Sequence, residues 1–187
     1  MHTEGGDPET GRGDSATGRR DSGDARLANL LGAVALEGAG ALDAATQPVV
    51  GQAGAAAAAL VTIAAHPKRS IEQLRAPLGL SQPGAVRLVE RLVAAGWVER
   101  SGPGGRRGFE LALTPDGGAV LDDMLAARRA ALEELLAPLT KEDRAQLEPL
   151  LEKLLAAHTG DRSDLERLCR LCEWRICRRC PVAGAVS

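Results

Sequence analysis

Apolar positions recur at intervals of three and four along most of this chain, and alternate in only one short stretch. Residues 1–24 stand apart: Gly, Asp, Arg, Ser and Thr with almost no apolar side chain. Such a segment buries too little surface to offset its ordering entropy, which predicts a disordered tail. From Ala25 the pattern turns helical. Leu27, Leu30, Leu31 and Val34 predict a helix to about Gln47, with Gly32, Gly38 and Gly40 weakening its continuity. A second helix is expected over about Val49–Ala65, closed by His66–Pro67, because a residue before proline is disfavoured in the helical region.

The next elements are announced by their caps. Ser70-Ile71-Glu72-Gln73 has the S-x-x-Q spacing of a capping box and opens a short helix. Pro77 and Gly79 end that helix between Arg75 and Leu78. Ser81 caps a further helix, with Pro83 in its first turn, that carries Val86, Leu88, Val89, Leu92 and Val93 and stops at Ala95–Gly96. Trp97–Arg100 and Phe109–Leu113 then read as two strands joined by a glycine-rich loop that bears Arg106 and Arg107. Thr114-Pro115 starts a helix to about Leu136, and Thr140 caps a last long helix to about Ala157, which Pro149 should kink and Gly160 breaks. The expected fold is mainly α with a small β-hairpin wing.

Composition narrows this picture. The core has to be aliphatic: tyrosine is absent, the only phenylalanine is Phe109, and the tryptophans are Trp97 and Trp174. The pattern predicts no apolar run of the roughly 18 residues of a membrane span, and no apolar stretch of a signal peptide at the N-terminus. A cytoplasmic protein with no membrane partner is expected. The net charge of -2 is uninformative, but its distribution is not. Between Ser81 and Arg107 five arginines face two carboxylates, a local excess of three positive charges in a mildly acidic chain.

Helix, short glycine-containing turn, helix, hairpin is the order of a winged helix-turn-helix. In that arrangement the second helix enters the major groove with its N-terminal residues at base edges. Here those are Ser81, Gln82, Gly84 and Ala85, followed by Arg87 and Arg91. Gln pairs with adenine, and Arg with guanine or phosphate. Arg106 and Arg107, at the wing tip, are placed for phosphates or the adjacent minor groove.

The stretch SIEQLRAPLGLSQPGAVRLVERLVAAGWVER, followed by GPGGRRGFELALTPDG, resembles the winged helix-turn-helix of MarR-type transcriptional regulators. The flanking helices extend the resemblance over about residues 26–158. Trp97 stands where the family usually has leucine, Ala85–Val86 where it often has Val–Ser, and Arg75 where a small residue is usual. Pro77, late in the first helix of the motif, is also unusual. The resemblance implies a homodimer, paired through N- and C-terminal helices, on a pseudo-palindromic operator in double-stranded DNA. The leucine stripe over 118–157 is compatible, since so wide an apolar face needs a partner or intramolecular cover.

Outside that resemblance lies the densest chemistry of the chain. Its only cysteines, Cys169, Cys172, Cys177 and Cys180, read C-x2-C-x4-C-x2-C. Four thiolates satisfy tetrahedral Zn2+, and a segment this small would fold around the metal. An iron-sulfur cluster is the alternative, because Cys180–Pro181 matches the ending of ferredoxin-type runs although the spacing differs. A metal-free thiol switch is the third reading. The nearby Arg167, Arg170, Arg175, Arg178 and Arg179 are expected to lower the thiol pKa values.

Nothing points to catalysis. His2, His66 and His158 sit apart from any nucleophile motif, and no phosphate-binding or dinucleotide fingerprint occurs. The sequence therefore reads as a tail (1–24), a winged-helix DNA-binding and dimerisation domain (25–160) and a cysteine-rich metal-binding tail (161–187). Its function reads as that of a dimeric regulator, a repressor, answering to a small-molecule or redox effector. The competing class is a metal-dependent protein-interaction module that uses the winged helix without DNA.

Overall fold

The computed structural model describes residues 17–51, 54–102, 109–177 and 180–186, with residues 17–22 as backbone only. The chain divides into two compact units, Met1–Ala39 and Gly40–Ser187. Helix α1 (Thr17–Val50) begins inside the segment whose composition suggests a tail, and residues 1–16 of that tail lie outside the described ones. Gly32, Gly38 and Gly40 do not interrupt it. In the first unit its Leu27, Leu30, Leu31, Val34 and Leu36 are all exposed. The stretch Gly23–Val50 is long and apolar enough to cross a membrane by length and composition, which corrects the expectation that no such stretch exists. Leucine, valine and alanine supply that apolar character around Glu37 and Asp43.

In the second unit, α2 (Ala55–Ala65) starts six residues later than expected. Gly51 and Gly54 both adopt left-handed φ, 69° and 68°, and separate it from α1. Every residue from Ala56 to Ile63 is buried, as a helix that is apolar all round requires. Thr62 satisfies its hydroxyl within the helix by donating to the Ala58 carbonyl (2.7 Å). Around α2 stand α3 (Ile71–Arg75), α4 (Gln82–Ala94), the hairpin β1 (Val98–Ser101) and β2 (Glu110–Leu113), and α5 (Pro115–Leu136). The strands pair antiparallel, with Val98 opposite Leu113 and Arg100 opposite Leu111. Val98 and Leu111 point into the core.

Short-range chemistry sets these boundaries. At α3 the Ser70 hydroxyl accepts from the Gln73 amide (3.3 Å) and the Gln73 side chain accepts from the Ser70 amide (3.0 Å). Gly79, at φ 64°, turns the chain out of α3, and Pro77 is buried beneath the turn. The Thr114 hydroxyl donates to the Gly96 carbonyl (2.6 Å) and accepts from the Gly117 amide (3.0 Å), tying the start of α5 to the end of α4. Helix α6 (Lys141–Ala157) runs through Pro149 as one element, with a capping box between Thr140 and Asp143.

Beyond α6 come two elements absent from the sequence-based reading: α7 (Arg162–Leu168) and α8 (Pro181–Gly184). Leu171 and Trp174, between them, pack on the core, and Val182 of α8 is buried.

Candidate functional site

Helix α4 is divided by its own periodicity. Ala85, Leu88, Val89 and Leu92 are buried, while Ser81, Gln82, Arg87, Glu90 and Arg91 are exposed. Arg87 and Arg91 are four residues apart and share one face. Among the described residues neither is paired with a carboxylate. Ser81 accepts from the Gly84 amide (3.3 Å), so its hydroxyl is the helix cap as well as an outward-facing group. Ala85 corrects the sequence-based expectation: at 0 % exposure it belongs to the core, not to the outward face. Gly84 is half-buried, and a Cβ there would stand 3.2 Å from the Ser81 hydroxyl oxygen, so the glycine makes room for the cap. Arg106 and Arg107, expected at the wing tip, lie outside the described residues.

The wing is braced from an unexpected side. The Lys68 amide donates to the Leu111 carbonyl (3.2 Å), and the Leu111 amide donates to the Arg69 carbonyl (3.0 Å). Residues 68–69 thus form a short third edge on the hairpin, immediately before the Ser70 cap. Lys68 is the one non-glycine residue with left-handed φ (69°) among the described residues, and this bend brings the edge alongside β2. His66, the C-cap of α2, has its pKa lowered by burial first and by Arg69 next.

The cysteine segment docks on this same lobe. Asp161 caps α7 by accepting from the Ser163 and Asp164 amides (2.8 and 3.0 Å). Glu166 accepts from Arg69 at 2.6 Å, with the two side chains only 16 % and 13 % exposed. Arg129 of α5 meets Glu173 at 3.3 Å, and Arg175 meets Asp122 at 2.7 Å. The Arg175 guanidinium also stands 5.2 Å from the Trp174 ring centre.

The four thiols are free and influence one another. Burial, then Cys172 and Cys180 beside it, pushes the Cys169 pKa up to about 12. Cys177 is also raised, by burial first and by Cys180 next. This reverses the expectation that the local arginines lower these values. Arg175 is committed to Asp122, Arg167 to Asp164 and Arg170 to the Arg167 carbonyl, while the side chains of Arg178 and Arg179 lie outside the described residues. Among the described residues no three His, Cys, Asp or Glu side chains form a closed ligand group. Four thiols are the donor type that a thiophilic cation takes, and its positive charge would offset the burial, and then the neighbouring thiols, that raise Cys169 and Cys177.

Two clefts flank these features. One of about 580 Å³ lies between α5, α6 and the cysteine segment, lined in part by Arg128, Leu132, Leu136, Cys172 and Ile176. The other, about 210 Å³, lies behind α4 and is lined in part by Val50, Ala56, Leu88, Arg91 and Trp97.

The MarR family profile matches residues 53–108, the span from α2 to the wing. Over its winged helix the chain is similar to MarR-family regulators. The transcriptional repressor MprA of Escherichia coli is 33% identical over 101 residues, covering 52% of this chain and 57% of MprA. The chain thus spans a little over half the length of the curated relatives it matches. Wild-type MarR from E. coli in its apo form superposes with a TM-score of 0.58 at 28% identity, over 69% of this chain and 96% of that one. A MarR family protein of Mycobacterium tuberculosis, solved in complex with DNA, gives 0.58 at 26% identity, over 68% and 96%. That protein in complex with salicylic acid gives 0.54 at the same identity, over 68% and 95%. The portions of this chain outside the MarR-like part include cysteine chemistry that these likenesses do not address.

Proposed function

We propose that this protein is a cytoplasmic, dimeric, sequence-specific DNA-binding transcriptional regulator, acting as a repressor. The exposed face of α4 carries the reading: two arginines without carboxylate partners among the described residues stand one turn apart behind an exposed Ser81–Gln82 N-terminus. Arginine in that position reads guanine or grips phosphate, and glutamine reads adenine. The structural likeness to a protein solved with DNA supports it. Pairing of two copies through α1 and α6 sets two reading helices on a pseudo-palindromic operator. The cleft behind α4 suits a small-molecule effector that shifts this helix, and the relative solved with salicylic acid supports an effector of that kind.

The test replaces Arg87, Arg91, Arg106 and Arg107 together by Ala, using a duplex selected from a randomised pool by the wild-type protein. Each base-reading arginine contributes about 1–3 kcal/mol, so affinity should fall by several orders of magnitude and the salt dependence should flatten. Unchanged affinity would mean that these residues do not read DNA.

The cysteine segment is the second half of the proposal. Cys169, Cys172, Cys177 and Cys180 would hold one metal centre, favoured as structural Zn2+, with an iron-sulfur cluster as the alternative. Bound, the metal supplies the cross-link that an otherwise small segment lacks. Trp174 packs on the core inside the cysteine run and limits water on that side. Metal and acid-labile sulfide measured on protein purified without oxygen decide the identity. One zinc per chain makes the segment a staple, iron with matching sulfide makes it a redox or iron sensor, and neither leaves reversible thiol oxidation.

A further inference from the structure

Glu166 lies on α7, three residues before Cys169, and Cys169 itself is the C-cap of that helix. Its partner Arg69 lies at the junction of the two DNA-facing parts. The Arg69 carbonyl accepts from the Leu111 amide of β2, and the next residue, Ser70, caps α3 of the helix-turn-helix. One residue therefore touches the wing through its carbonyl, and the first helix of the reading motif and the cysteine segment through its guanidinium. We propose that the Arg69–Glu166 pair is a strut that couples the state of the cysteine segment to the orientation of the DNA-reading lobe, with both residues acting as positioning residues. This rests on the reading that the four cysteines hold a metal.

The other ties between segment and lobe are poorer candidates. Arg129–Glu173 and Arg175–Asp122 reach α5 rather than the reading motif. Their arginines are 48 % and 50 % exposed, against 13 % for Arg69, so water and salt screen them more. Arg162 also approaches Glu166, at 3.5 Å, but its side chain is 77 % exposed. Glu166 accordingly has one sheltered partner, and that partner is on the far side of the segment boundary. Whatever fixes the cysteines fixes the end of α7. The end of α7 fixes Glu166, and Glu166 holds the short edge that residues 68–69 add to the wing. Loss of the metal would release these in the same order.

The experiment compares metal-loaded and chelator-stripped full-length protein, for wild type and for the variants E166Q, E166D and R69Q. The probe is the duplex selected from a random pool by the loaded wild type, and metal content is measured on every sample. The wild type should bind the duplex at least about fivefold more tightly when loaded, the lower end of measured couplings between sites. E166Q and R69Q should keep their metal yet lose that difference, while E166D, which retains the charge, should keep part of it. A merely structural residue would lower both affinities and leave the ratio intact. The strut is overturned if E166Q preserves the full wild-type ratio, or if loaded and stripped wild type bind alike. Hydrogen exchange at the Leu111 amide gives a readout that needs no DNA: E166Q should speed it in the loaded protein to about the rate of the stripped wild type, and an unchanged rate overturns the strut. Wild type that takes up no metal overturns the four-cysteine reading instead. In that case faster Leu111 exchange in E166Q would still establish the mechanical link.

Discussion

Gly117 has no freedom to be anything else. A Cβ at this position would overlap the Trp97 carbonyl, a backbone group that also accepts from the Thr114 amide and cannot step aside. The Leu113-Thr114-Pro115-Asp116-Gly117 run is therefore a fastening of α5 onto the turn that ends α4. Overpacking of this kind costs about 1–3 kcal/mol, so G117A should lower the midpoint of denaturant unfolding without changing the slope. An undiminished midpoint would show that the close approach is not maintained in solution. Residue identity was a poor guide at Ala85. Placed by the sequence among the base-facing residues, its small side chain instead allows α4 to lie tightly on the core. Exposure along a helix depends on where the neighbours sit, which a single position does not reveal.

At the scale of elements, the caps were the most legible feature. Ser70, Ser81, Thr114 and Thr140 all cap as their spacing predicts, because a cap is settled within four residues. The boundary between α1 and α2 was legible only roughly: the break expected at about Gln47–Val49 falls at Gly51 and Gly54, which both take left-handed φ. Helix α7 makes a pH prediction. Hydrogen bonding to Arg69 holds the Glu166 carboxyl below its ordinary value, against the opposing effect of burial. A carboxyl with a depressed folded pKa contributes stability that is fully present above its unfolded value of about 4.3 and lost as the pH falls through the folded value. Amide exchange in Leu165–Cys169 should therefore accelerate on acidification below pH of about 4, and E166Q should abolish that acceleration. Exchange that is equally pH-sensitive in E166Q, after correction for intrinsic rates, would assign the effect to another carboxylate.

The whole molecule exposes more leucine than one chain can use. Leu150, Leu151, Leu154 and Leu155 of α6 stand 40–59 % exposed, and Leu27, Leu30 and Leu31 of α1 at least half exposed. Contiguous apolar faces of this size mark interaction surfaces. If they pair two copies, L151E together with L154E should shift the species seen in sedimentation from dimer to monomer and weaken operator binding in parallel. A variant that stays dimeric would place the pairing surface elsewhere. If the four cysteines hold a metal, its removal is expected to leave α2–α5 intact while exchange across residues 169–177 rises, because the core of the lobe closes without the cysteines. Global unfolding on chelation would instead make the segment part of that core.

By itself the sequence determined the helix-turn-helix, the hairpin, the helix caps and the four-thiol spacing. Each of these is written in residues no more than a few turns apart, where periodicity, proline and glycine act directly. The tertiary structure alone decided which face of α4 is free, that residues 68–69 extend the wing, that Arg167 and Arg175 beside the cysteines are spent on ion pairs, and that α7 leans on Arg69. Arg69 and Glu166 are 97 positions apart. No local pattern joins them, because the pairing arises only when packing of Leu171, Trp174 and Val182 returns the end of the chain to its own DNA-facing lobe.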